Sequence, residues 1–141
     1  MTGYLIDTNV ISEVRKKKPH GGVLAWFESL QVGQGFFSAV TFGEIQKGIE
    51  ITRRVDPVKA NEIEVWAGNL ERASQVLAMD APCFREYARL IHGHSSVLSE
   101  DAMIAATARV HGLTVATRNE RDFVHFSVAV LNPFQYRIRS R

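Results

Sequence analysis

Apolar positions along this chain switch between strand-like runs and helical spacing, and the switches mark its elements. Tyr4, Leu5 and Ile6 run straight into Asp7, which reads as a buried strand with an acid at its carboxyl end. Asn9 reads as the N-cap of a short helix from Val10 to Val14. The run Arg15-Lys16-Lys17-Lys18 and then Pro19-His20-Gly21-Gly22 break it, and Val23, Leu24, Trp26, Phe27 and Leu30 recur at helical spacing. Gly33 and Gly35 bracket a loop before a short buried strand, Phe36-Phe37-Ser38. The next helix runs from about Ala39 or Thr41 to Ile51, with Val40, Phe42, Ile45 and Ile49 on its apolar face.

Ile63, Trp66, Leu70 and Ala73 predict a long helix between Val58 and about Leu77, whose end overlaps a candidate strand from Val76 to Met79 ending in Asp80. Pro82 suits a first helical turn, and that helix continues through Phe84, Tyr87, Ala88 and Ile91 to Gly93. Residues 95–98 read as loop. Ser99-Glu100-Asp101 opens an alanine-rich helix, Ala102 to about Val110, stopped at Gly112. Leu113 to Thr117 reads as a buried strand, Arg118 to Phe123 as a turn or one helical turn, and Val128 to Leu131 as a last strand ended by Asn132-Pro133. Strands alternating with helices predict the α/β class: a parallel sheet covered on both faces.

At 141 residues the chain is expected to form a single domain spanning 1–141. No apolar run approaches the roughly 20 residues that cross a bilayer. No basic-then-apolar leader is evident at the start, so a cytosolic protein is expected, with no membrane partner. The lone Cys83 fits a reducing compartment. A net charge of +2 is too mild to argue for nucleic acid by itself. Its distribution says more: Arg15 to Lys18, Arg53-Arg54, and Arg137, Arg139 and Arg141 are basic clusters, readable as solvated loops or as phosphate contacts.

Four acids stand at expected element ends: Asp7, Glu44, Asp101 and Asp122. In open α/β sheets ligands bind outside the carboxyl ends of the strands. If these acids converge there, each pair about 4 Å apart repels by roughly 1 kcal/mol in water and about 4 kcal/mol at an effective dielectric of about 20. Such a cluster calls for a cation or raised pKa values. All-oxygen ligands favour Mg²⁺ or Mn²⁺ over zinc. Such an ion activates a water and offsets charge on a phosphoryl group under attack. Each acid also has a purely structural explanation. Asp7 can cap the helix after it. Thr41-Phe42-Gly43-Glu44 fits a capping box. Asp101 can complement a helix dipole, and Asp122 can pair with Arg118 or Arg121.

Leu5-Ile6-Asp7-Thr8-Asn9-Val10-Ile11-Ser12-Glu13 resembles the opening motif of PIN-domain ribonucleases. Phe37 to Ile45, with Gly48, resembles their second motif, Ser99 to Ala108 their third, and Leu113 to Asn119 through Asp122-Phe123 their fourth. The order is the family's, over residues 4 to 134, with a carboxylate in each motif. The likeness is to VapC-type toxins of toxin–antitoxin pairs, especially the FitB-like group, whose chains also end in a segment like Asn132-Pro133-Phe134. This resemblance implies a three-layer α/β/α domain with a five-stranded parallel sheet. It implies Mg²⁺- or Mn²⁺-dependent hydrolysis of RNA phosphodiester bonds. Asp7 and Asp101 would be direct metal ligands, Glu44 would sit beside the metal, and Asp122 would be the fourth acid. Members differ over the fourth position, and here Asn119 competes with Asp122 for it. Thr8 and Thr117 match hydroxyl positions lining such sites. Arg15, Lys16, Arg53, Arg54 and Arg118 are candidates for guiding RNA. A small cognate antitoxin is implied as partner, blocking the acidic pocket. So are a homodimer, with Trp26, Phe27 or Trp66 as candidate surface, and a larger toxin–antitoxin assembly on DNA.

Other constellations carry less. His92-Gly93-His94 lacks a third ligand at a zinc-like spacing. Cys83 has no evident histidine partner and reads as a packed thiol. A phosphatase of the haloacid dehalogenase type needs a second aspartate where this chain has Asn9. A phosphate-accepting receiver domain needs an acidic pair near its start and a lysine after its last strand, and neither is evident. A PIN fold kept only as a binding module is the non-enzymatic alternative, although all four acid positions are filled.

Overall fold

The computed structural model describes residues 1–93 and 99–137 of the chain. Five strands, β1 Tyr4–Ile6, β2 Gly35–Ser38, β3 Val76–Leu77, β4 Thr114–Ala116 and β5 Val130–Leu131, form one parallel sheet in the order β3-β2-β1-β4-β5. Seven helices are present among the described residues: α1 Thr8–Val14, α2 Gly21–Ser29, α3 Ala39–Arg53, α4 Pro57–Ala73, α5 Ala81–Ile91, α6 Ser99–His111 and α7 Glu120–Val124. A short 3-10 turn, Pro133–Gln135, follows β5 and packs on α2.

The strands are too short to show much periodicity, but their two faces are plain. Leu5 and Val115 pair across β1 and β4 and pack into one core with Ala102, Ile104, Ala105 and Ala108 of α6 and with Phe123 and Phe126. Ile6 and Ala116, the next pair, face the other way. They join Val10, Val23, Trp26, Phe37, Ile45 and Ile49, a core closed by α1 to α4. Alternation by one residue thus sends neighbours to opposite layers, and the expected α/β/α architecture is what forms. Phe123 is fully buried, so truncating it to alanine would cost about 3–5 kcal/mol.

Several expected boundaries move. Asp7, not Asn9, caps α1: its carboxylate accepts the Thr8 N–H at 2.8 Å. The long α4 stops at Ala73, and Val76–Leu77 is strand rather than helix, because it pairs with β2. Asp80 does not end that strand; it caps α5 by accepting the Cys83 N–H. The last strand shrinks to Val130–Leu131. Ser127, just before it, takes a left-handed backbone with φ of 52°. Residues 95–98, His94, Arg139 and Arg141 lie outside the described residues. Trp26 is buried in the core, edge-on to Tyr4, so it is no surface for a second copy. Among the described residues no helix is long and apolar enough to cross a membrane.

Candidate active site

From β1 the chain steps outward to β2 and β3, then returns to the far side of β1 as β4. The crevice beyond the carboxyl ends of β1 and β4 is therefore the topological switch point, where doubly wound sheets bind ligands. Asp7 and Thr117 stand there, one residue past the end of each strand. The Asp7 N–H donates to the Ala116 carbonyl and the Thr117 N–H to the Leu131 carbonyl, each at 2.9 Å, so both positions are fixed by the sheet.

Asp7 is 4% exposed and its carboxylate is held from three sides. Oδ1 accepts the Thr8 N–H; Oδ2 accepts the Thr117 hydroxyl at 2.8 Å and the Asn9 amide at 3.1 Å. Burial pushes its pKa up, the donors of Thr117, Thr8 and Asn9 pull it back, and the charge of Asp122 adds a further push upward. Asn9 ties the two strand ends together, because its Oδ1 also accepts the Arg118 N–H at 3.1 Å.

Glu44 reaches the same place from α3. Ser38 caps that helix by accepting the Val40 N–H, so the alternative capping box of Thr41 and Glu44 does not form. Glu44 instead accepts the Thr8 hydroxyl at 2.9 Å, and Thr8 thereby bridges Asp7 and Glu44. Partial burial raises the Glu44 pKa against the Thr8 bond, and Asp7 and Glu100 raise it further. Asp101 lies in the first turn of α6. Burial, then the charges of Asp7, Asp122, Glu44 and Glu100, push its carboxyl up to about 6. No hydrogen-bond donor meets its carboxylate among the described residues. Asp122 forms no ion pair with Arg118 or Arg121 among the described residues; its charge is felt at Asp7 and Asp101. The Asn119 side chain caps nothing, while its backbone N–H donates to the Thr117 hydroxyl at 3.0 Å.

The structure thus gathers Asp7, Glu44, Asp101 and Asp122 into one electrostatic neighbourhood. Among the described residues no lysine or arginine forms an ion pair with any of them. Nor do three His, Cys, Asp or Glu side chains there stand close enough to chelate one ion unaided. The set is hard oxygen throughout, suited to a cation that keeps part of its water shell, as Mg²⁺ does with one or two carboxylates.

Of the expected RNA guides, most are engaged elsewhere. Lys16 pairs with Glu13 at 2.9 Å, Arg15 lies over the Trp66 ring, and Arg53 is tied to Glu50 and Glu64. Arg118 is exposed beside the site, its guanidinium 4.7 Å from the centre of the Phe134 ring. Cys83 is a buried thiol whose pKa is raised by burial, as expected of a packing residue. Two contributors were not singled out from sequence: Asn9, read as a cap, and Glu100, one residue before an obvious acid. The spacing of Asn9 two residues past the strand-end aspartate was the available signal.

The fold and this acidic crevice define a class, and residues 4–128 match the PIN domain: the chain belongs to the PIN-domain family. Its relatives are more particular. It is 35% identical to Toxin FitB of Neisseria gonorrhoeae, over 92% of this chain and 97% of that one. It is 33% identical to VapC ribonuclease Y4jK of Sinorhizobium fredii, over 93% and 97%. The crystal structure of FitAcB from Neisseria gonorrhoeae aligns with a TM-score of 0.79 at 35% identity, covering 94% of this chain and 99% of that one. FitAB bound to an IR36 DNA fragment aligns at 0.71 and 31%, covering 97% and 99%.

Proposed function

We propose that this chain is the toxin of a toxin–antitoxin pair and a ribonuclease that hydrolyses RNA phosphodiester bonds with a divalent cation, Mg²⁺ or Mn²⁺. The observation that carries the reading is the gathering of four carboxylates with no ion-pair partner among the described residues, where burial and then the charges of Asp7, Asp122, Glu44 and Glu100 push Asp101 up to about 6. Asp7 and Asp101 would hold the ion, and Glu44 would orient its water shell. Asp122 would complete the site in preference to Asn119, because its charge reaches both Asp7 and Asp101. The ion, when bound, supplies an activated water and neutralises charge developing on the phosphoryl oxygens. The chain's own part is orientation. Thr117 and Asn9 hold the Asp7 carboxylate in place and offset part of the burial that raises its pKa, and Thr8 links Asp7 to Glu44. Asn9 stands where the haloacid dehalogenase alternative needs a second aspartate, and its amide is engaged with both strand ends, which argues against that alternative.

The relatives named FitB and VapC, and the FitAB complex on DNA, support a cognate antitoxin as partner and assembly on DNA through it. A basic antitoxin side chain would satisfy the unpaired acids as the cation does. A homodimer and a cytosolic location belong to the same proposal. The test is RNA cleavage with Mg²⁺ by the wild type, Asp7→Asn and Asp101→Asn. Both variants should lose cleavage, as should the wild type in excess chelator. Cleavage that survives either treatment would sink the reading, and a phosphoaspartate on Asp7 would replace it with a phosphatase.

A further inference from the structure

We infer that the segment after β5, residues 132–136, belongs to the substrate-binding edge: Phe134 is a positioning residue that holds the Arg118 guanidinium ready for an RNA phosphate. The inference takes its ligand from the ribonuclease reading above. A phosphate approaching the acids is repelled wherever the bound cation does not offset their charge, so a cationic side chain at the rim assists its entry. Arg118 is the basic residue whose backbone is tied to the Asp7 network, through its N–H on Asn9 Oδ1. It has no carboxylate partner among the described residues, unlike Lys16, Arg53, Arg89 and Arg109.

An exposed arginine with nothing to lie against would lose rotamer freedom on gripping a phosphate. Phe134 removes part of that cost by stacking at 4.7 Å, which leaves the edge of the guanidinium free for a forked hydrogen bond. The ring is itself well anchored. The Phe134 N–H donates to Asn132 Oδ1 at 2.9 Å, its ring packs on the α1–α4 core, and the His20 ring lies 5.2 Å away. Two residues on, the Tyr136 carbonyl sits so close to Gly22 that a Cβ there would meet it at 2.9 Å. Residues 132–136 are therefore docked on α2 by a close backbone approach that favours glycine at position 22, and this docking anchors the ring beside Arg118.

The experiment is a double-mutant cycle on Arg118 and Phe134. Binding of a single-stranded RNA oligonucleotide is read by fluorescence anisotropy in the Asp101→Asn background. Cleavage kinetics are read in the otherwise wild-type protein. Arg118→Ala should weaken binding about tenfold and flatten the salt dependence by about 0.7 in log–log slope. Phe134→Leu should weaken it about three- to fivefold, with the loss falling on KM rather than kcat, and Phe134→Tyr should restore it. In the Arg118→Ala background Phe134→Leu should add nothing. An equal loss from Phe134→Leu with or without Arg118 would show a merely structural ring, and unchanged binding in Arg118→Ala would remove the phosphate contact. If Phe134→Leu does not fold, Arg118→Lys decides. It should keep the salt slope yet bind more weakly, and full affinity would overturn the stacking role. Absence of cleavage by the wild type would defeat the ribonuclease reading while leaving the binding cycle to decide the platform. Intact cleavage with a null cycle would defeat the platform alone.

Discussion

Thr117 has one proton to give, and its surroundings leave it a single destination. The hydroxyl accepts the Asn119 N–H at 3.0 Å and the Asn9 amide at 3.4 Å, so both lone pairs are taken and the proton points at Asp7 Oδ2. A hydroxyl fixed in that sense favours the charged carboxylate, against the burial that disfavours it. Replacing Thr117 with valine keeps the shape and removes the donor. The acid limb of the pH–activity profile should then move to higher pH, because a carboxylate that loses a donor titrates higher. Stability should drop by about 1–3 kcal/mol for the buried groups left unpaired. Asn9→Ala should move the acid limb in the same direction, and an unchanged profile in both variants would show that this network does not set the ionisation of Asp7. The side chain of Asn9 was legible in the sequence as a helix cap, not as a link between two strand ends. Its partner Arg118 lies 109 residues away, and no local pattern reports such a bond.

Helix starts position two of the four acids. The Ser38 hydroxyl caps α3 six residues before Glu44, and the first turn of α6 carries Asp101. Ser38→Ala should cost about 1 kcal/mol, as lost caps do, and should weaken Mg²⁺ binding by letting the start of α3 fray. Asp80→Ala removes the cap of α5, on a helix that contributes no site residue, and should lower stability without touching the metal response. Urea denaturation paired with Mg²⁺ titration by calorimetry separates the two. Equal Mg²⁺ affinities in both variants would detach α3's cap from the site. The capping box that the spacing of Thr41 and Glu44 offered as an alternative shows how an element start decides a side chain's partner. The spacing fits, but the helix begins two residues earlier at Ala39, so Glu44 falls a turn inside and faces Thr8.

For the whole molecule the acid cluster is a standing cost. Asp7, Glu44 and Asp101 all have raised pKa values. Between the ordinary carboxylate range and about 6, the folded chain therefore holds more protons than the unfolded one at these groups. Stability from them falls as pH rises through that window. Metal-free protein in chelator should thus melt lower at about pH 7.5 than at about pH 5.5, and excess Mg²⁺ should narrow or reverse the difference, since the cation binds the deprotonated form. Asp101→Asn should raise the melting temperature of the metal-free protein at neutral pH and abolish its response to Mg²⁺, the usual trade of function for stability. A metal-free melting temperature that rises between those two pH values, or an Asp101→Asn variant still stabilised by Mg²⁺, would contradict this account.

The sequence by itself determined the class of fold, because strand and helix periods are local and short runs such as Leu5-Ile6 and Val115-Ala116 announce burial without any partner. It offered the four acids as candidates: Asp7 follows a short apolar strand, Asp101 opens a helix, Asp122 follows a strand, and Glu44 lies in the helix after the second strand. Tertiary structure decided what no local pattern carries. The strand order put β4 beside β1 and so placed Thr117 against Asp7. Competing bonds decided that Glu44 serves Thr8 rather than its own helix, and that Asp122 answers to Asp7 and Asp101 rather than to a neighbouring arginine. Packing turned Trp26 inward and laid Phe134 beneath Arg118. Hydrogen bonds, charges and ring contacts act through space, and their partners are set by the crossing of distant segments.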